Sequence, residues 1–129
     1  MEQNVKLNDL MFKALDHGVD SVSGGGDLVP FVMTENNLQR FVASTLEESK
    51  EQAEKFLISL RDEPVAALAY GGYLTTEGKK FSTVFVKVFD LNEDKGILLV
   101  QRYEPKAFLR KLQLVGNPGV VERPLNPWK

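Results

Sequence analysis

Apolar residues recur every three to four positions from Val5 to His17, where Leu7, Leu10, Met11, Ala14 and Leu15 make one stripe. That spacing predicts an amphipathic helix lying on a core. Gly18 follows, and a glycine can adopt the left-handed conformation that closes a helix, so the helix is expected to stop there. His17 then falls in the last turn, where the helix dipole favours a cationic ring. Residues 19–27 contain three successive glycines and read as a polar connector.

From Leu28 the pattern shortens. Leu28–Met33 is a strand candidate, but Pro30 cannot donate to a ladder, so an edge position or a bulge is expected. Thr34-Glu35-Asn36-Asn37 reads as a hairpin turn, with Leu38–Ala43 returning. Thr45-Leu46-Glu47-Glu48 matches the T-x-x-E capping box. Leu46, Ala53, Phe56, Leu57 and Leu60 continue from it as a helical face, and Pro64 is expected to end that helix.

Beyond Pro64 the period becomes two. Val65–Leu74, with Gly71-Gly72 inside it, Phe81–Asp90 and Ile97–Tyr103 read as strands, and Phe108–Val115 as a weaker fourth. In the second of these, Val84, Val86 and Val88 share one face while Phe85, Lys87 and Phe89 share the other, so both faces should be at least partly covered. The expected architecture is α+β: one mainly antiparallel sheet of five to six strands, with two helices packed on one face. Residues 1–129 read as a single domain, in which 116–129, with Pro118, Pro124 and Pro127, form an extended tail ending near Trp128.

Composition narrows the chemistry. At 129 residues, 43% hydrophobic and 26% charged, the chain can bury a core without covalent staples. The absence of cysteine excludes disulfides, thiolate nucleophiles and every Cys-containing zinc site. No apolar run is long enough to cross a bilayer and no signal-peptide pattern opens the sequence, so a cytoplasmic location is expected. The net charge of -2 argues against nucleic acid or an anionic membrane surface as partner. Charge is unevenly placed: residues 1–63 carry twelve acidic and six basic side chains, residues 64–129 six acidic and ten basic. Acidic helices facing a basic sheet would account for this.

Motifs that suggest catalysis or cofactors fail on context. His17 is the only histidine, and Asp16, Asp20, Ser21 and Ser23 crowd one helix terminus with no G-x-S-x-G turn. Gly24-Gly25-Gly26-Asp27 follows a helix and opens a strand, the reverse of a phosphate loop. Asp90–Gly96 alternates oxygen ligands as a calcium loop does, yet Lys95 stands where glycine is required and Gln101 where a bidentate glutamate is required. The run from Lys80 to Phe89 mixes aromatics and bases without the glycines of an RNA-recognition strand. No metal and no cofactor are expected.

Two segments keep functional interest. Tyr70-Gly71-Gly72-Tyr73 sets paired glycines inside a strand, which marks a bulge or a close backbone approach. Arg102-Tyr103-Glu104 ends another strand with a guanidinium, a phenol and a carboxylate. If one pocket joins them, Tyr70, Gly71, Gly72, Tyr73, Arg102, Tyr103 and Glu104 form a candidate ligand site. The expected function is a non-enzymatic binding or assembly module; the alternative is a small enzyme or ligand-binding protein using this Arg/Tyr/carboxylate set. A homodimer is expected, because two helices on one face leave the other uncovered, and Trp128 is its candidate interface anchor. A further protein partner is compatible with the charge asymmetry.

Overall fold

The computed structural model describes residues 5–105, 107 and 111–128. Helix α1 spans Val5–Ser23, strands β1 and β2 span Phe31–Met33 and Leu38–Arg40, and helix α2 spans Leu46–Ser59. Strands β3 (Val65–Thr76), β4 (Lys79–Asp90), β5 (Ile97–Glu104) and β6 (Gln113–Glu122) complete one antiparallel sheet in the order β2-β1-β3-β4-β5-β6. The α+β class and the strand number agree with the sequence.

The placement of the helices does not. Along β3, Val65, Ala67 and Ala69 join the core under α1, whereas Ala66, Leu68 and Tyr70 join the core under α2. Since neighbouring residues of a strand face opposite ways, the helices cover opposite faces, not one. Val84, Val86 and Val88 of β4 accordingly pack beneath α1, while Phe85 and Phe89 pack on the α2 side. Both faces of the central strands are covered within one chain.

Gly18 does not end α1. The helix runs on to Ser23, and Gly18 is buried against the sheet: a Cβ there would stand 2.9 Å from Val84 Cγ1. Its lack of a side chain is used for close packing and not for a left-handed cap. The actual end comes at Gly25 and Gly26, both with positive φ, where the Gly25 amide donates to Val22 O. α2 begins as expected, with Thr45 Oγ1 accepting from the Glu48 amide at 3.1 Å. It finishes at the cap Leu60, whose amide donates to Leu57 O, a full turn before Pro64.

β1 is not an edge strand, because β2 and β3 flank it, and the strand starts only after Pro30. The Pro30 carbonyl accepts from the Phe41 amide. The Thr34–Asn37 turn forms as expected, closed by Thr34 N donating to Asn37 O and by Asn37 N donating to Thr34 Oγ1. β3 and β4 pair without interruption from Val65↔Asp90 to Thr76↔Lys79, joined by a two-residue turn in which Glu77 and Gly78 both have positive φ. Gly71-Gly72 therefore carries no bulge.

The segment from Gly116 is not a free tail. Residues up to Glu122 belong to β6, and the expected strand start at Phe108 lies outside the described residues. The β5/β6 register shifts between Leu98 and Leu99 and again between Val100 and Arg102. At the second shift the buried Gln101 side chain donates from Nε2 to the carbonyls of Arg102 (2.9 Å), Gly116 (3.2 Å) and Val115 (3.4 Å), which pins the irregular backbone before Pro118. Past β6, Asn126 ties the chain down: its Nδ2 donates to Asp90 O and Glu93 O, and its amide to Asp94 O. Trp128 then packs edge-on against Phe89 and donates from Nε1 to Leu57 O at 2.8 Å. The indole thus anchors on α2 of its own chain.

Candidate functional site

The sheet divides the residues singled out by the sequence. Gly71, Tyr73 and Tyr103 lie on the α1 side, together with Ser82, which pairs with both tyrosines across the ladder. Tyr70, Gly72, Arg102 and Glu104 alternate to the α2 side. There Tyr70 stacks on Phe85 with ring centroids 5.1 Å apart, and Lys50 Nζ stands 4.1 Å from its centroid. Burial, reinforced by the negative charges of Glu54 and then Glu122, pushes its phenol up to about 12. The Arg102 guanidinium lies over the Phe81 ring at 5.1 Å, and no ion pair joins it to Glu104 among the described residues. The arginine and carboxylate of the expected set are therefore not in one cavity with Tyr73 and Tyr103.

What the fold does bring together is a depression of about 290 Å³ lined by Asp27, Leu28, Leu46, Gly71, Gly72, Tyr73, Ser82 and Tyr103. Gly71 and Gly72 are there because of close approach: a Cβ on Gly71 would stand 3.2 Å from Leu28 Cβ, and one on Gly72 3.0 Å from the Phe85 ring. The Tyr103 phenol is held above the ordinary tyrosine value, first by burial and then by the charges of Asp27 and Tyr73. It stays protonated and able to donate at neutral pH. Asp27, Leu46 and Ser82 were not picked out from the sequence. Asp27 stands at the end of the glycine connector that returns the chain from α1 to the sheet, Leu46 in the first turn of α2 after β2, and Ser82 opposite Tyr73 in the β3/β4 ladder, so three separate segments meet beside β3.

This depression sits at a sheet edge that is unpaired among the described residues. β1 pairs with β3 through Ala67, Leu68 and Ala69 only, and from Tyr70 to Thr76 the ladder of β3 runs to β4 alone. Thr76 and Lys79 close a two-residue turn and so form a hydrogen-bonded pair, which by alternation turns the N–H and C=O groups of Thr75, Tyr73 and Gly71 away from β4. The same three residues are exposed, Tyr73 at 63%. No family model, curated protein or solved structure matches this chain.

The other candidate chemistries are absorbed by the fold. His17 Nε2 is 2.9 Å from Arg40 Nη2 and its ring meets Phe31 edge-on, so the imidazole joins α1 to β2. Burial first, then the Arg40 charge, lowers its pKa below 6.5. The ring is thus a neutral acceptor in mid-helix, where the sequence suggested a cation at a helix end. Ser21 and Ser23 donate to carbonyls four residues back in their own helix. In the Asp90–Gly96 loop, Asp90 Oδ1 accepts from the Asn92 amide, and Asn126 takes up the carbonyls of Asp90 and Glu93. Among the described residues no three His, Asp or Glu side chains are grouped to hold a metal, and no helix is long and apolar enough to cross a membrane.

Proposed function

We propose that this protein is a non-enzymatic binding module that takes up an extended segment of another protein as an added strand beside the outer half of β3. The observation that carries this reading is an edge left without protection among the described residues. Sheet proteins blunt exposed edges with very short strands, bulges, proline or lysine. The other two edges here follow that rule: β2 is three residues long and ends in Arg40, and β6 is interrupted by two register shifts and Pro118. Tyr70-Gly71-Gly72-Tyr73-Leu74-Thr75-Thr76 has no charge, no proline and a regular register, which is the form suited to strand addition.

A second copy of the chain is a poorer occupant. Antiparallel self-pairing about Tyr73 would set two Tyr73 rings side by side, and each carries Lys80 Nζ 4.1 Å from its centroid. Like charges would then be brought close together on one face of the pair. The expected dimer also loses two of its grounds, since a helix covers each face of the sheet and Trp128 packs on its own chain.

The test uses an array of acetylated, amidated heptapeptides with alternating β-branched residues, probed with the wild-type protein and with Thr75→Pro. Proline removes only an amide that points off the edge, so the ladder to β4 and the melting temperature should survive. Binding of selected peptides should fall at least tenfold. Equal binding by wild type and a folded Thr75→Pro would overturn strand addition. Light scattering supplies the other arm: a mass near 14.5 kDa leaves the edge open to a partner, whereas a dimer dissociated by Thr75→Pro would assign it to a second copy.

A further inference from the structure

We infer that the depression beside this edge is a subsite for one basic side chain, an arginine in preference to a lysine, carried by the added strand; the inference rests on the strand-addition reading and specifies its partner. The cavity ends against Leu28, where the chain leading into β1 crosses Gly71. A segment paired along Thr75 and Tyr73 therefore arrives with one side chain over the cavity mouth. About 290 Å³ is room for a single long side chain and lies at the lower limit of small-molecule clefts, which hold roughly 300–1,000 Å³.

The lining selects charge. Asp27 is the only ionised group in it, is exposed, and has no ion pair among the described residues. Ser82 and Tyr103 add hydroxyl oxygens on the same side of the sheet, and Leu28 and Leu46 supply apolar flanks. A guanidinium on a three-carbon stem meets all of these: its stem lies along the leucines, and its planar fork reaches several acceptors at once, as a point-like ammonium cannot. Lys80 already occupies one face of the Tyr73 ring, so the incoming cation is held by Asp27 and the hydroxyls and not by that ring. An acidic side chain would face Asp27 without a neutralising group in the lining.

The probe is a fluorescein-labelled, amide-capped heptapeptide series of alternating threonine and valine, with arginine, lysine or norleucine placed at each position in turn. Fluorescence anisotropy should show one position at which arginine binds at least tenfold more tightly than norleucine, with lysine between them. Asp27→Asn should remove that preference and leave the norleucine peptides unchanged. If Asp27→Asn weakens arginine and norleucine peptides alike, or neither, the subsite is wrong. The two readings fail separately: a Thr75→Pro defect without an Asp27 effect removes only the basic subsite, and binding indifferent to Thr75→Pro removes strand addition. Because the Asp27 side chain is exposed, an unchanged melting temperature for Asp27→Asn is the control for folding.

Discussion

A methyl group added at Gly96 has nowhere to go, because its position meets the Phe89 ring and the Val88 carbonyl well inside contact distance. The Gly96 amide is also used, donating to Pro124 O at 2.7 Å. Gly96→Ala should cost about 1–3 kcal/mol, the usual range for overpacking a filled site, and chemical denaturation would measure it. His17 supports a prediction about pH. Its folded pKa lies below the unfolded value of 6.5, so the unfolded chain binds the extra proton first as pH falls. The stability contributed by the neutral ring is present above 6.5 and declines below it as pH drops toward the folded pKa. Denaturation midpoints should fall between about pH 7.5 and 5.5, and His17→Gln should flatten that slope; a slope unchanged in the variant would remove His17 as its cause. A one-letter reading could name these residues but not their neighbours. Gly18 was legible as an exceptional position, while its use, packing against Val84, depends on where β4 passes.

Elements with local causes were the legible ones. The Thr45 cap, the hairpin turn at Thr34–Asn37 and the period-two strands β3, β4 and β5 are each specified by residues within a few positions of one another. Thr45→Ala should lower stability by about 1 kcal/mol, since the Glu48 amide loses its acceptor. A change indistinguishable from zero in a urea melt would count against the cap. β6 was legible only in part: Gln113–Val115 fall within the expected weak strand, whereas Gly116, Pro118 and Gly119 resemble a tail and the register there is held by Gln101, which belongs to β5. Helix placement was illegible for a different reason. An apolar stripe records that a helix packs on something, and β4 is apolar on both faces, so nothing local assigns α1 and α2 to opposite sides. The candidate site shows the same division: the glycines and tyrosines were visible, whereas the side of the sheet each occupies follows from strand parity counted across three strands.

At the scale of the molecule, the core under α2 closes only with the last described residues. Leu57 O accepts both the Leu60 amide at the end of α2 and the Trp128 indole. Those partners, Leu57 and Trp128, are 71 positions apart, whereas β3 and β4 are joined by Glu77-Gly78 alone and β4 and β5 by the loop from Leu91 to Gly96. Loop closure over such a span carries more entropy cost than hairpin formation. The indole contact should therefore be absent from the rate-limiting ensemble and form after the meander has assembled. Trp128 is the only tryptophan, so stopped-flow fluorescence observes this contact directly. Trp128→Ala, followed by circular dichroism, should speed unfolding and leave the folding rate nearly unchanged, with a loss of about 2 kcal/mol, less than a fully buried ring would give. Slowed folding of equal size would place the contact in the nucleus instead. The clamp thus acts chiefly on the lifetime of the folded state: it sets how long the two halves of the chain stay together once they have met, and contributes little to how fast they meet.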